Sequence, residues 1–85
     1  MSGAPTVVLY GKEDCHLCDE ARAVLERVRV DVPFDLVERD IEQDDALHRR
    51  YLERIPVVEM AGEEAFEFFV DEAELRRRLA IVVGG

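Results

Sequence analysis

The segment Thr6-Val7-Val8-Leu9-Tyr10-Gly11, followed by Lys12-Glu13-Asp14-Cys15-His16-Leu17-Cys18, decides how this chain folds. Its first part is apolar, rich in β-branched residues and ended by a glycine, which predicts a buried central strand. Beyond it, apolar residues recur at helical spacing, so we predict a helix that begins at about Cys15. The predicted apolar face of that helix consists of Leu17, Ala21, Val24, Leu25 and Val28. The sequence therefore predicts a strand–loop–helix unit with two cysteines at the start of the helix.

The rest of the chain continues the alternation of strands and helices, as its apolar spacing and turn residues indicate. In order, we predict a strand at 34–41, a short helix capped by Asp44 or Asp45, a strand at 57–61, a turn at Gly62-Glu63, a strand at 64–69, and a last helix capped by Asp71. A helix joins the first two strands, which are expected to be parallel, whereas the two-residue turn implies that the last two are antiparallel.

The predicted fold class is therefore α/β, with a four-stranded mixed sheet in β-α-β-α-β-β-α order. A chain of 85 residues has room for one domain, which we expect to span residues 1–85. In the last helix, Leu75 and Leu79 are predicted to face the core. We also expect the apolar run Ile81-Val82-Val83 to pack against the sheet.

Composition and charge disfavour several kinds of partner. The chain carries a net charge of −9 and has no basic tract that would neutralise a phosphate backbone, so we expect no nucleic-acid partner. The same charge disfavours anionic membrane surfaces, and no apolar run approaches the roughly 20 residues that cross a bilayer. The first residues, Met1-Ser2-Gly3-Ala4-Pro5, lack the features of a secretory signal, which favours a cytoplasmic protein. We expect this protein to be a monomer.

The pair Cys15 and Cys18 carries the predicted chemistry. A disulfide that closes so short a loop constrains the unfolded chain little, so this spacing is more typical of a reactive pair than of a structural one. A thiol attacks a disulfide as its thiolate, and the N–H groups at a helix start lower the pKa of a thiol placed there. Lys12 and a protonated His16 would stabilise the thiolate further, whereas Asp14 would oppose it.

Other interpretations of these residues stay open. The two cysteines are also compatible with inert packing or with a zinc site shared across a dimer, for which the chain offers His16 and His48. The terminal Gly84-Gly85 is a feature of ubiquitin-like sulfur carriers, although those begin with a β-hairpin. A redox-inactive binding module whose acidic surface recruits a basic protein is the alternative from another functional class.

A second segment, Tyr51-Leu52-Glu53-Arg54-Ile55-Pro56-Val57-Val58, completes a family pattern. Together with the strand–Cys-x-x-Cys–helix unit it resembles the thioredoxin superfamily, and more narrowly the small glutaredoxin-like proteins. The resemblance implies a thiol–disulfide oxidoreductase in which Cys15 is the nucleophile and Cys18 the resolving thiol. It also implies that Pro56 is cis, although X–Pro bonds in general favour trans. The backbone of Ile55 would pair with glutathione or a substrate peptide, and a lysine at the position of Lys12 is common in glutaredoxins.

Two departures from the glutaredoxin pattern bear on specificity. Typical glutaredoxins have proline and an aromatic residue between the cysteines, where this chain has His16 and Leu17. They also carry a Gly-Gly pair and a nearby acidic residue that hold glutathione, where this chain reads Phe68-Phe69-Val70-Asp71. Asp71 is therefore a candidate substrate-binding residue as well as a helix cap. We expect no bound cofactor; the external reductant would be glutathione or a thioredoxin reductase system, and the substrate a protein disulfide or small thiol compound.

Overall fold

The computed structural model describes residues 4–84, with side-chain surroundings described as far as Val82. The first three residues and Gly85 lie outside the described residues. The expectations about a signal sequence and a terminal Gly-Gly depend partly on them. The predicted order of elements is confirmed. The elements are β1 (Thr6–Gly11), α1 (His16–Asp31), β2 (Asp35–Asp40), α2 (Asp45–Tyr51), β3 (Val57–Met60), β4 (Glu63–Glu67) and α3 (Glu72–Gly84).

The four strands form one mixed sheet in the order β2-β1-β3-β4. The first strand runs parallel to β2, with Val8 opposite Val37. It runs antiparallel to β3, and β3 runs antiparallel to β4. The sheet therefore has the predicted topology, a thioredoxin-like fold with β1 at its centre.

The alternation of side chains along β1 divides the core between the two faces of the sheet. On one face Val7 and Leu9 pack with residues of α1 and α3, including Leu25 and Leu79. On the other face Tyr10 packs in a smaller cluster with Ile41, Tyr51 and Val57. The rings of Tyr10 and Tyr51 lie 4.7 Å apart, centroid to centroid. Helix α2 thus covers one face of the central strand, while α1 and α3 cover the other.

Two ion pairs join α1 to α3 across the chain. Arg27 contacts Glu72 at 2.7 Å, and Arg76 contacts Asp31 at 3.0 Å. Because these side chains are substantially exposed, they align the two helices more than they stabilise the fold. In the part of the chain that the structure describes, no helix is both long enough and apolar enough to cross a bilayer.

Several predicted boundaries differ from the structure by one or two residues. The second strand ends at Asp40 because Ile41 begins a short 3-10 turn. The hairpin turns at Ala61 and Gly62, both with positive φ, rather than at Gly62-Glu63. The fourth strand ends at Glu67 and not at Phe69. In each case the apolar residue just beyond the strand adopts a turn conformation that apolar spacing does not reveal.

Two predictions about apolar packing were wrong. Ile81 and Val82 are 59% and 44% exposed, because they border an open surface groove beside Met60 and Glu63 at the hairpin edge instead of packing into the core. Leu17 is 45% exposed because it lies in the first turn of α1, beyond the end of β1. The side chain of Val83 lies outside the described residues.

Candidate active site

Three loops that carry the predicted site residues meet at one edge of the sheet. The register pairs Tyr10 with Val57 and Val57 with Glu67, so β1 and β4 end at the edge where β3 begins. The loop from β1 to the cysteines, the Ile55-Pro56 segment and the connection from β4 to α3 therefore all lie at this edge. We call it the catalytic edge, in contrast to the hairpin edge at Ala61-Gly62.

Cys15 is the N-cap of α1. Its Sγ accepts a hydrogen bond from the backbone N–H of Cys18 at 3.1 Å, and its carbonyl oxygen accepts one from Asp19 at 3.0 Å. Asp14, with φ of 57°, turns the chain into the helix just before it. A sulfur in this position receives an N–H at the positive end of the helix dipole, which is the arrangement that stabilises a thiolate.

The two cysteines are joined as a disulfide, with Cα atoms 5.2 Å apart. Cys15 is partly exposed, whereas Cys18 is 1% exposed. The accessible sulfur is thus the one that the helix start contacts, and the buried one lies behind it. This asymmetry matches an attacking and a resolving cysteine.

Gly11 provides the space for Cys18. A Cβ atom at Gly11 would lie 2.9 Å from the Cys18 Sγ and 3.2 Å from its Cβ, closer than side chains normally approach. The last residue of the central strand therefore has to be glycine for the buried sulfur to occupy this position. From the sequence alone Gly11 is only the end of a strand, since nothing local indicates a contact with Cys18.

The Ile55–Pro56 peptide bond is cis, as the family resemblance implied. Pro56 is buried at the start of β3, and its carbonyl oxygen accepts a hydrogen bond from the N–H of Phe68 at 2.8 Å. The proline loop and the corner after β4 are therefore directly bonded to one another.

Arg54 also ties this loop to β4. Its guanidinium donates to Glu67 at 2.7 Å and to Glu64, which in turn accepts a hydrogen bond from the Tyr51 hydroxyl at 3.3 Å. The hydrogen bond from Arg54 lowers the pKa of Glu64 from its ordinary value, and the same carboxylates raise the pKa of Arg54. The sequence alone does not indicate this role of Arg54, because its partners are distant in the chain.

Phe68 occupies an unusual backbone conformation. Its φ is +71°, and the N–H of Phe69 donates to the carbonyl oxygen of Glu67 at 2.9 Å, which closes a three-residue turn around Phe68. Turns of this kind are rare and strained, and a non-glycine residue held in such a region costs on the order of 1–3 kcal/mol. The side chains of Phe68 and Phe69 are 46% and 68% exposed, so core packing does not account for the two aromatic rings.

The remaining predicted site residues lie near this edge in different roles. Lys12 is half-buried and lines a groove of about 480 Å³ beside Cys18, together with Arg22 and Arg39. His16 is exposed, and its Nε2 lies 2.6 Å from a carboxylate oxygen of Glu20.

Asp71 lies just before α3 and caps it. Its side chain accepts a hydrogen bond from the N–H of Glu74 at 3.0 Å, and its carbonyl oxygen accepts one from Leu75 at 2.9 Å. The predicted capping role of Asp71 is therefore observed. Among the described residues, no three His, Cys, Asp or Glu side chains are grouped closely enough to hold a metal ion.

The family model of a glutaredoxin-like domain (DUF836) matches residues 6–80 of this chain. The chain belongs to this glutaredoxin-like family. No curated protein matches it. A solution structure of protein Ne2328 from Nitrosomonas europaea is 29% identical, with a TM-score of 0.73 and coverage of 99% of this chain and 92% of that one. An X-ray structure of a structural-genomics target from X. campestris is 33% identical, with a TM-score of 0.74 and coverage of 88% and 96%.

More distant structures share the fold of this glutaredoxin-like protein. Chloroplastic thioredoxin z is 14% identical, with a TM-score of 0.78 and coverage of 96% of this chain and 80% of that one. Fasciola hepatica thioredoxin is 20% identical, with a TM-score of 0.66 and coverage of 93% and 81%. At such identities the similarity extends to the fold and not to substrates. The thioredoxin-like fold that the sequence predicted is therefore confirmed, as is the predicted glutaredoxin-like family.

The glutaredoxin-like protein brings most of its predicted site residues to the catalytic edge, and adds three that the sequence did not indicate. Cys15, Ile55, Pro56 and Asp71 belong to the loops that meet there, and Cys18 lies in the first turn of α1. Gly11, Arg54 and Phe68 are the additions, and each acts through a contact between segments that are distant in the chain or through a backbone angle. Phe68 was noted only as a departure from a family motif. Its positive φ makes that departure a structural feature.

Proposed function

We propose that this protein is a cytoplasmic thiol–disulfide oxidoreductase that uses Cys15 and Cys18 to reduce or exchange disulfides. The observation that carries the proposal is the position of Cys15. Its sulfur is partly exposed at the start of α1 and accepts the N–H of Cys18, while the second sulfur is buried directly behind it. The membership of this chain in a glutaredoxin-like family, and its cysteine pair at bonding distance, support a redox role.

The proposed reaction begins with the reduced protein. The Cys15 thiolate attacks one sulfur of a substrate disulfide, so that a Cys15–substrate bond forms and the other substrate sulfur leaves as a thiolate, which takes up a proton. Cys18 then loses its proton and attacks the Cys15 sulfur, which releases the second substrate thiol and leaves the Cys15–Cys18 disulfide. Two electrons pass to the substrate, which becomes two thiols.

The pair must then be reduced again by an external donor. Glutathione or a thioredoxin reductase system would supply two electrons and two protons, with no cofactor bound to this chain. Lys12, half-buried at the catalytic edge, would favour the thiolate of Cys15. The backbone of Ile55, Pro56 and the start of α3 at Asp71 would border the bound substrate. We expect the protein to act as a monomer.

The proposal is tested by equilibrating the protein in glutathione buffers of stepped redox ratio, trapping the thiols and measuring the disulfide fraction by mass. We expect a reversible two-electron transition between roughly −270 and −120 mV, the range of known exchange proteins. The Cys15→Ser variant should form no intramolecular disulfide. In the reduced protein Cys15 should be alkylated at least about ten times faster than Cys18, because Cys18 is 1% exposed.

The redox proposal fails if the thiols remain reduced throughout the series, or if Cys15 reacts no faster than Cys18. The redox-inactive binding module would then take its place, and retention of a basic partner by the acidic surface would be measured in the Cys15→Ser variant. Stoichiometric zinc in the purified protein would instead favour a site shared between two copies.

A further inference from the structure

Three apolar side chains are exposed at the catalytic edge, and apolar side chains exposed close together often mark a binding surface. Leu17 lies between the two cysteines, while Phe68 and Phe69 form the corner between β4 and α3. We refer to these three residues as the apolar rim. They are 45%, 46% and 68% exposed, respectively.

We propose that the apolar rim selects disulfides in polypeptide segments that carry an apolar residue beside the oxidised cysteine and basic residues farther away, in preference to glutathione disulfide. The inference rests on the proposed function, since it names the substrate class of the same site.

The backbone at Phe68 indicates that the aromatic pair is there for its side chains. Phe68 holds a φ of +71°, a conformation that glycine adopts without cost but that strains a residue with a side chain. A large, half-exposed ring at such a position gains little from the core. Residues held in strained conformations cluster at sites that bind ligands or catalyse reactions, so the strain points to a contact with substrate.

The corner is also fixed relative to the rest of the site. The N–H of Phe68 donates to the carbonyl oxygen of Pro56 at 2.8 Å, and Arg54 bonds to Glu67 at the end of β4. The backbone of the aromatic corner is thus bonded to the proline loop, and Leu17 lies in the first turn of α1 at the same edge. Exposed apolar side chains at the same edge as the attacking sulfur favour an apolar side chain next to the disulfide.

The charges at this edge decide between the two kinds of disulfide. Glu13, Asp14 and Asp71 are exposed carboxylates in the loops that surround the cysteines, and the whole chain carries a net charge of −9. Glutathione has two carboxylates and one ammonium group, so it is an anion that the net charge of −9 disfavours, although Lys12, Arg22 and Arg39 line the groove beside Cys18. A segment with lysine or arginine away from its cysteine is complementary to the same carboxylates.

In the test, the reduced protein reacts separately with three disulfide probes. The first is a synthetic peptide whose cysteine forms a mixed disulfide with a chromophoric thiol, with leucine next to the cysteine and lysines farther away. The second is the same peptide with serine in place of leucine, and the third is glutathione disulfide. We expect the second-order rate constant for the leucine peptide to exceed that for the serine peptide about tenfold. Phe69→Ser should reduce this ratio to about one. Phe68→Gly should raise the rate with glutathione disulfide relative to the leucine peptide.

Ile81→Ser is the matched control, because Ile81 is 59% exposed in the last turns of α3, away from the catalytic edge, and should leave the ratio unchanged. Circular dichroism of each variant checks that it is folded. Equal rates of the wild type with the leucine and serine peptides would overturn this inference alone, as would a ratio that survives both phenylalanine substitutions. If the wild type reduces none of the probes, the proposed oxidoreductase function itself fails, and the inference falls with it.

Discussion

The turns at the two ends of strand β4 both contain residues with positive φ, but the residue types differ. At the hairpin edge, Ala61 and Gly62 have φ of 52° and 83°, and a Cβ atom added at Gly62 would have no neighbour within 4 Å. At the catalytic edge, Phe68 has φ of 71° and carries one of the largest side chains available. At the hairpin edge, glycine with open space around it adopts the positive φ without strain. At the catalytic edge, a residue with a bulky ring is held in a strained turn.

The difference separates turns that only connect strands from turns that also present a side chain. At the hairpin Gly62 is the residue type that a tight turn requires, and the other residue at positive φ, Ala61, carries only a methyl group. At the other end the residue type opposes the backbone, so a requirement outside the fold must favour the ring. If the apolar rim binds substrate as proposed, the catalytic edge is the part of this small domain where stability is given up for binding.

The largest expected effect comes from adding one methyl group at the catalytic edge. In Gly11→Ala the new Cβ would lie 2.9 Å from the Cys18 sulfur, which the disulfide prevents from moving aside. The reduced side chain is free to rotate, so the oxidised form is destabilised more, by about 1–2 kcal/mol. Because the oxidised form loses stability relative to the reduced one, the reduction potential should become less negative by about 20–40 mV. A glutathione redox titration measures the shift.

Gly62→Ala is the matched substitution at the hairpin edge. There the methyl group meets nothing within 4 Å, but the φ of +83° disfavours alanine, which should cost roughly 1–2 kcal/mol in the free energy of unfolding. This cost is the same in both redox states, so the reduction potential should not change. Equal shifts of the potential in the two variants would show that Gly11 has no particular relation to Cys18.

The next effect concerns the strained turn itself. We expect Phe68→Gly to be more stable than Phe68→Ala by about 1 kcal/mol, because both lose the ring but only glycine accepts a φ of +71°. At Phe69, whose φ is not positive, the order should be the ordinary one, with alanine at least as stable as glycine. Urea unfolding of the four variants measures these differences. If alanine is the more stable at both positions, the turn around Phe68 is not strained in solution.

The sequence predicted the arrangement of elements because that information is local and periodic. The apolar run of β1, the helical spacing from Ala21 to Val28 and the cap at Asp71 each lie within one short segment. The predictions failed where an apolar residue continues the pattern past the end of the sheet. Leu17 and Ile81 fit the helical spacing, yet Leu17 lies in the first turn of α1 and Ile81 borders an open groove at the hairpin edge, so both remain exposed.

The candidate site was predicted in part for the same reason. A cysteine pair at a helix start is a local pattern, and the family motif supplied Pro56. The roles of Gly11 and Arg54 depend on contacts with residues elsewhere in the chain, and a sequence without its fold does not contain those distances. The conformation of Phe68 was equally hidden, because residue type alone argues against a positive φ for phenylalanine.

The smallest expected effect concerns Arg54, which connects the two ends of β4 through Glu64 near the hairpin and Glu67 at the catalytic edge. Its hydrogen bond lowers the pKa of Glu64, so the ionised carboxylate stabilises the folded state. That contribution is present above the ordinary pKa of a glutamate and is lost as the pH falls through the lowered value. Between pH 6 and about pH 3, the free energy of unfolding should therefore fall less in Arg54→Ala than in the wild type.

The pKa of Glu64 in Arg54→Ala should rise towards the ordinary value, as measured by carbon NMR of its carboxyl group. Other glutamates also lose stabilising pairs in acid, since Arg77 and Arg78 lower the pKa of Glu74 to about 2. Arg77→Ala is therefore the control: it should alter the titration of Glu74 and leave that of Glu64 unchanged. Because these ion pairs are at the surface, the effect on stability should be smaller than that of the Phe68 substitutions.

An unchanged pKa of Glu64 in Arg54→Ala would mean that the guanidinium does not join the two ends of β4 in solution. The hydrogen bond from Phe68 to Pro56 alone would then fix the aromatic corner beside the cysteines.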